Sequence, residues 1–596
     1  MPGSRVRASE GDGVTADNQG PLPQAPLVRL AVRRHSDGLA DVAVFLGTLA
    51  LLAAIARVGA GTLVAFGPAH QLATISLDPH NLPYYAGRSV LRMFIALAAS
   101  FAFTFAYGYA AARSRRAERV LIPLLDILQS VPVLGFLSIT VTGFIALFPG
   151  SLLGLECASI FAIFTSQAWN MAFSFYQSLR TLPLDLEEAT EAYRLSHWQR
   201  FRQLEVPAAM IPLVWNAMMS FGGGWFFLAA SEAISVLNHS YTLPGVGSYV
   251  AAAIGKQDLG ALGWAVLTMA IVIVSIDQLF WRPLVAWSDR FRVDQTTGAA
   301  APQSWVYDLL RTSRLPRRLR AALLPLVDGV DRRLEHLTAV RTNPAPGGNT
   351  AAADAGFTVV LAIVVAALIA LGLHFILTTV GFGEVGHVAR LGFFTFVRVL
   401  VLLVFASLVW TPIGVAIGFH PRLAQVLQPV VQFLASFPAN FIFPFATLAF
   451  IRLHVPINAG SVLLMALGAQ WYILFNTIAG AASIPTDLRE MADDIGLRGW
   501  NRWRRLVLPG IFSAWVTGAI TASGGAWNAS IVSEVVGWGT TTLTASGLGA
   551  YIADATGRGD WPRITLGVGI MSLYVVGANR LVWRQLYALA QRKYRL

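Results

Sequence analysis

The chain has 596 residues, 55% of them hydrophobic and only 13% charged, with a mean hydropathy of +0.58. That composition excludes a soluble globular protein or a disordered chain and fits a polytopic membrane protein. The net charge of +12 is almost wholly arginine, since Lys256 and Lys593 are the only lysines, and in such a chain the excess reports topology rather than nucleic-acid binding. The single Cys157 excludes an internal disulfide and any multi-cysteine metal site.

In chain order, residues 1–38 are polar and rich in Gly and Pro, without the apolar run and cleavage site of a signal peptide, and read as a disordered cytoplasmic tail. Helices of about 20 apolar residues can cross a bilayer. Six candidates follow at 39–58, 89–112, 120–148, 152–179, 208–236 and 259–287, inside a first unit of 39–288. Residues 289–356 are different material. Ten arginines lie between Arg290 and Arg341, followed by Pro344-Ala345-Pro346-Gly347-Gly348. The stretch reads as a basic cytoplasmic linker, a tether whose leucines give it a second, membrane-surface reading. A second unit, 357–596, repeats the six spans at 357–380, 391–419, 426–451, 459–484, 510–536 and 564–589. Arginines 29, 33 and 34 before the first span, and 113, 115, 116 and 119 in the second loop, place both termini and the fourth loop of each half in the cytoplasm.

The two units are one sequence written twice. Leu91-Arg92 corresponds to Val397-Arg398 and Pro132 to Pro438, 306 positions on; Trp169 corresponds to Trp471 and Ser231-Glu232 to Ser533-Glu534, 302 positions on. The first half therefore carries a four-residue insertion between Pro132 and Trp169. Both copies start and end on the same side, so they are parallel repeats about an axis along the membrane normal.

Between the fourth and fifth spans each repeat carries a charged loop that cannot lie in hydrocarbon. One copy reads Glu188-Ala189-Thr190…Arg194…Val206-Pro207 and the other Glu490-Met491-Ala492…Gly496…Leu508-Pro509. This pattern resembles the loop of permease subunits in bacterial binding-protein-dependent ABC importers, most of all the branch that imports nitrate, taurine and other sulfonates or bicarbonate. The resemblance covers both halves and leaves out the tail and linker.

It implies an all-α polytopic fold of two parallel six-helix type I importer permease repeats, with 12 transmembrane helices in the bacterial inner membrane. It implies two ATPase subunits docked on the cytoplasmic elbows through Glu188, Ala189, Arg194, Glu490, Ala492 and Gly496. A periplasmic or lipid-anchored substrate-binding protein is expected on the outer face. The family has glycine where Arg194 stands, so the two elbows are expected to turn differently.

Trp225 and Glu232 are seven residues apart in the fifth span, as are Trp527 and Glu534, and each pair shares a helix face. One reading sets these four residues, with Trp169 and Trp471, around a central translocation pathway. The other pairs Glu232 with Arg92 and Glu534 with Arg398, at matching depth, as buried ion pairs that lock helices together. No phosphate loop, His-Glu-x-x-His or Gly-x-Ser-x-Gly occurs in the sequence. The chain is therefore expected to be no enzyme, with no catalytic residue, cofactor or metal of its own, and with ATP and Mg bound by the partner ATPase. The rival class is a 12-helix secondary transporter, which would need a coupling-ion carboxylate in mid-membrane and gives no reason for a duplicated charged elbow.

Overall fold

The computed structural model describes residues 40–50, 53, 56–57, 75–130, 133–135, 137–149, 151–236, 239–291, 304–337 and 350–593. The tail reading of 1–38 and most of the first span lie outside these residues. In the first half α1 covers Ala40–Ala50, α2 Leu82–Arg113, α3 Arg115–Ser130, α4 Leu137–Leu147, α5 Leu153–Arg180, α6 Leu184–Ala192, α7 His197–Arg200 and α8 Val206–Glu232. A hairpin of β1 (Ala233–Val236) and β2 (His239–Thr242) leads to α9 (Val246–Lys256), α10 (Leu259–Ile276) and α11 (Arg282–Ser288). The linker forms α12 (Trp305–Thr312) and α13 (Leu315–Leu337).

The second half repeats the order as α14 (Thr350–Thr379), α15 (Phe382–Gly418), α16 (Pro421–Ser436), α17 (Phe443–Leu453), α18 (Ile457–Ala482), α19 (Thr486–Asp494), α20 (Gly499–Arg502) and α21 (Leu508–Ser533). The hairpin β3 (Val535–Trp538) with β4 (Thr541–Thr544), then α22 (Leu548–Arg558), α23 (Trp561–Ala578) and α24 (Arg584–Lys593), complete it.

Eight described helices are individually long and apolar enough to cross a bilayer. The expected third span of each half, 120–148 and 426–451, is not one helix. In the second half the break falls at Phe437, extended at φ −72° and ψ 127° because the following Pro438 disfavours helical backbone before it; one short helical turn, Ala439–Phe441, follows. The first half is interrupted at the equivalent place, with a turn at Val133–Gly135. The two hairpins and their following short helices occupy what the sequence shows only as Gly-, Ser- and Thr-rich loops, a small β addition to an all-α membrane fold.

Each half is built on a three-helix core, α2–α5–α8 and α15–α18–α21. Small residues let these helices approach. A Cβ on Gly108 would stand 2.8 Å from the Phe175 ring, and one on the equivalent Gly414 would stand 2.9 Å from Thr477. The turn of the second hairpin meets α9, just after the first hairpin, with Gly539 N donating to Ile254 O at 3.1 Å, so like ends of the repeats lie together and the repeats run parallel. The elbows α6–α7 and α19–α20 re-enter the bundle through π-helical turns at equivalent places, Phe201–Glu205 and Trp503–Val507. The linker does not hang free: Asp331 of α13 pairs with Arg202 and accepts from Trp198 Nε1 at 3.0 Å, beside the first elbow.

Candidate functional site

A cavity of about 500 Å³ lies between the two halves. Its walls are equivalent positions of both repeats: Gln129 and Ala435, Val133 and Ala439, Ser166 and Gly468, Asn170 and Tyr472, Gly222 and Gly524, Gly223 and Gly525, Phe226 and Asn528. Only a void on the pseudo-twofold axis is lined in this way. The broken third spans cross there, each bonded to the fifth span of the other half. Val133 N donates to Asn528 Oδ1 at 3.0 Å, and Asn440 Nδ2 donates to Phe226 O at 3.2 Å. Val133, Phe226 and Asn528 of these crossings are themselves part of the cavity wall. Towards the elbow end a smaller recess continues past Asn216, Ser174, Gln177 and Thr181.

None of the described residues lining the cavity is charged. Trp169, Phe173, Phe226 and Phe227 alternate with polar groups. Thr165, Ser166, Thr517 and Thr521 donate their hydroxyl protons to carbonyls of their own helices, and Asn216 donates to Ser174 and Pro212. That leaves Asn170, Asn476, Asn528 and Tyr472 to donate into the cavity. Neutral donors replace part of a solute's hydration without holding it tightly, which suits entry and release.

Of the residues singled out in the sequence, Trp169 lines this cavity; Trp225, Glu232, Trp471, Trp527 and Glu534 do not. Trp225 is 2% exposed against Phe221, and Trp527 is 1% exposed beside Phe396 and Tyr574. Trp471 packs on Trp410 and donates to Leu467 O. Their periodicity is real, but the shared face is turned into the helix packing. The glycines just before Trp225 and Trp527, Gly222, Gly223, Gly524 and Gly525, line the void instead.

The two glutamates belong to buried ion clusters at the hairpin end. Glu232 Oε1 accepts from Arg92 Nη1 at 2.6 Å and from Ser89 Oγ at 2.6 Å, while Oε2 accepts from Gly247 N at 2.7 Å, at the start of α9. Glu534 repeats this with Arg398 Nη1 at 2.8 Å, Thr395 Oγ1 at 2.8 Å and Ala550 N at 3.1 Å, at the start of α22. Each carboxylate thus ties the second span, the end of the fifth span and the short helix after the hairpin into one unit.

The repeats then differ in a coordinated way. Arg92 also holds Glu156 through two bonds, Nε at 2.5 Å and Nη2 at 2.7 Å, and Arg88 pairs with the same carboxylate. In the second half the equivalents are Asn458, which accepts from Arg398 Nη2 at 2.7 Å, and Phe394. Two arginines and two glutamates in one half become one of each in the other. The elbow roots show a second exchange. Buried Glu205 pairs with Arg113 and Arg200, whereas the equivalents of Glu205 and Arg113 are Val507 and Phe419, packed in one apolar cluster. Lining up the two repeats exposes both exchanges in the sequence alone; reading single residues does not.

At the elbows, Glu188, Arg194, Glu490 and Gly496 are exposed, Ala189 is half-buried and Ala492 buried. The expected difference in turning is corrected by the backbone. Arg194 has φ +50° and Gly496 φ +68°, and both turns close with the same bonds: Leu195 N to Thr190 O at 3.0 Å and Leu497 N to Ala492 O at 2.8 Å. Arg194 accepts a left-handed conformation that costs a side-chain-bearing residue about 1 kcal/mol, because the turn is fixed by its bonds and its packing. Arg194→Gly is therefore expected to raise thermal stability by about 0.5–1 kcal/mol, and Gly496→Arg to lower it by a similar amount, read by unfolding in detergent. No change in either variant would show that the left-handed strain is relieved elsewhere.

Helices long enough to span, a parallel twofold repeat, a cavity on its axis and a charged elbow from each half define the membrane permease class of protein. The model of the family of binding-protein-dependent transport system inner membrane components matches residues 101–280 and again 410–593, more than half of the chain. The chain belongs to that family, as two permease domains fused in tandem.

Among curated proteins it is 27% identical over 185 residues to the nitrate import permease protein NrtB of Leptolyngbya laminosa, covering 31% of this chain and 63% of that one. It is 29% identical over 150 residues to the bicarbonate transport system permease protein CmpB of Synechococcus elongatus, covering 25% and 51%. A Bacillus subtilis protein named for aliphatic sulfonate transport, SsuC, is 27% identical over 161 residues, covering 27% and 55%. The chain thus spans between about half and two thirds of the length of these relatives.

Proposed function

We propose that this chain forms the whole membrane pathway of an ATP-driven importer for a small solute, most simply a small anion of the nitrate, bicarbonate or sulfonate kind. The observation that carries this reading is the cavity on the repeat axis, walled by equivalent residues of both halves and flanked by two matching elbows. The named solutes of the relatives supply the substrate class, and the uncharged lining, with the amides of Asn170, Asn476 and Asn528 among its donors, accommodates it without a trap. No carboxylate among the described lining residues offers a coupling-ion site, which weighs against ion-driven secondary transport.

The elbows present exposed apolar side chains beside their charges: Leu184 (72%) and Tyr193 (81%) on the first, Met491 (55%), Ile495 (66%) and Trp500 (71%) on the second. Exposed apolar surface rimmed by charge suits a protein partner. In this reading one ATPase subunit docks on each elbow, on the cytoplasmic side with both termini. A substrate-binding protein delivers solute at the hairpin end of a bacterial inner membrane. ATP binding on the partners moves the elbows, and the π-turns pass that movement into α8 and α21, whose residues line the cavity.

The test is reconstitution with the ATPase and binding protein encoded beside it, following vesicle uptake of nitrate, bicarbonate and taurine. The chain alone is expected to hydrolyse no ATP, and uptake is expected only with all components and ATP. ATP turnover by the isolated chain, or uptake driven by an ion gradient without ATP, would overturn the proposal.

A further inference from the structure

We propose that the linker helices α12 and α13 form a binding surface for anionic lipid headgroups, set at the elbow-end rim of the membrane and tied at its far end to the first elbow. The depth of this surface follows from its attachments. α12 packs on α11, at the elbow end of the long span Leu259–Phe291. The start of α13 is fixed by Asp41, in the first turn of α1, which accepts from Ser313 Oγ at 2.6 Å, Arg314 N at 2.5 Å and Leu315 N at 3.2 Å. The linker thus begins at the level where one span starts and another ends, which is the headgroup layer. At the same level Arg290 lies 4.2 Å from the Trp287 ring, a cation beside an aromatic side chain as membrane interfaces favour.

The composition fits that place. From Trp305 to Leu324 there are five arginines and one acidic residue, Asp308. Arg311, Arg317 and Arg318 are exposed, and so are Trp305, Leu310 and Leu324. Basic and apolar side chains exposed together on short helices beside span ends match an anionic bilayer surface in both charge and polarity.

The other end of α13 reports to the first elbow. Asp331 is buried, holding Arg202 and Trp198, and Trp198 stacks on Phe201 at the elbow's return into the membrane. The equivalent Trp500 of the second elbow is 71% exposed. Lipid charge therefore bears on one elbow and not on the other. The binding stands without the coupling role proposed above; only the consequence for transport rests on that role.

The full-length chain is reconstituted in phosphatidylcholine vesicles with and without phosphatidylglycerol, and hydrogen exchange is followed at 305–324, at Leu184–Ala192 and, as a fold control, at Thr486–Asp494. Phosphatidylglycerol is expected to protect 305–324 at low salt and to lose that effect at high salt. Arg311→Gln and Arg317→Gln should each cut the protection ratio about five-fold, and about twenty-five-fold together, while Thr486–Asp494 is unchanged. Asp331→Asn should leave the lipid effect on 305–324 intact and abolish its effect on Leu184–Ala192. Equal protection in both vesicles, a lipid effect that survives the double Arg→Gln variant, or the same protection from inorganic phosphate in phosphatidylcholine alone would each overturn the proposal. Loss of ATPase docking with an intact lipid effect would count against the coupling reading alone.

Discussion

Glu156→Asn is expected to destabilise the protein by about 3–5 kcal/mol, because it strands a buried guanidinium. Arg88 is 1% exposed and Arg92 2% exposed, and Glu156 is the carboxylate they share. With the neutral amide in its place, Glu232 alone faces two arginines. The second repeat shows how the same fold lives with asparagine here: its Asn458 faces Arg398, and the position of Arg88 is taken by Phe394. Arg88→Phe added to Glu156→Asn therefore restores charge balance and should return stability to within about 1 kcal/mol of the parent. A double-mutant cycle measures the coupling directly as the shortfall from additivity. If the two changes simply add, the cluster is not a closed charge set and the comparison between repeats has misled.

The same cluster revises the swap test that a simple Arg92–Glu232 pair would suggest. Arg92→Glu with Glu232→Arg would set a carboxylate beside Glu156 and leave Gly247 N without its acceptor. Exchange of the partners should fail in the first half even though the pairing is correct. It is less damaging in the second half, where Asn458 is neutral, yet Ala550 N still loses Glu534.

How much was legible in the sequence follows from the range of each signal. The repeat, the Arg92–Glu232 and Arg398–Glu534 pairings and eight long apolar helices come from hydropathy, register and depth, and these survive folding. The break at Phe437-Pro438 is local chemistry that a hydropathy window averages away. Helical spacing correctly grouped Trp225 with Glu232 and Trp527 with Glu534, but spacing cannot say which way a face points. Their bulk goes to the packing, while the glycines and amides beside them line the cavity. Arg194 in a left-handed turn is illegible for a different reason: the local capping bonds that end α6, Arg194 N to Glu191 O and Leu195 N to Thr190 O, outweigh the residue's own preference. The contact of Asp331 with Trp198 joins residues 133 apart through a linker whose composition alone suggests a tether.

Gly524→Phe is expected to abolish transport, by about a hundred-fold or more, while leaving the protein as stable as the parent or slightly more so. Gly524 lines the cavity in the interior of α21, and a Cβ built there meets no atom within 4 Å, so the ring would project into the void. Replacing a mid-helix glycine removes a backbone entropy cost, a gain of about 0.5 kcal/mol. Blocked passage and preserved folding are rarely found in one variant, and here they separate the pathway from the scaffold. Gly524→Ala should keep solute uptake and gain stability, which controls for the loss of the glycine itself. The equivalent Gly222 behaves differently, since a Cβ there stands 2.6 Å from Ser436 Oγ. Gly222→Phe should therefore cost about 1–3 kcal/mol by overpacking as well as blocking passage. The measurement pairs thermal unfolding with uptake in vesicles carrying the ATPase and binding protein. Normal uptake by a stably folded Gly524→Phe would show that solute does not pass between the two halves at this cavity, and the pathway would have to be sought elsewhere.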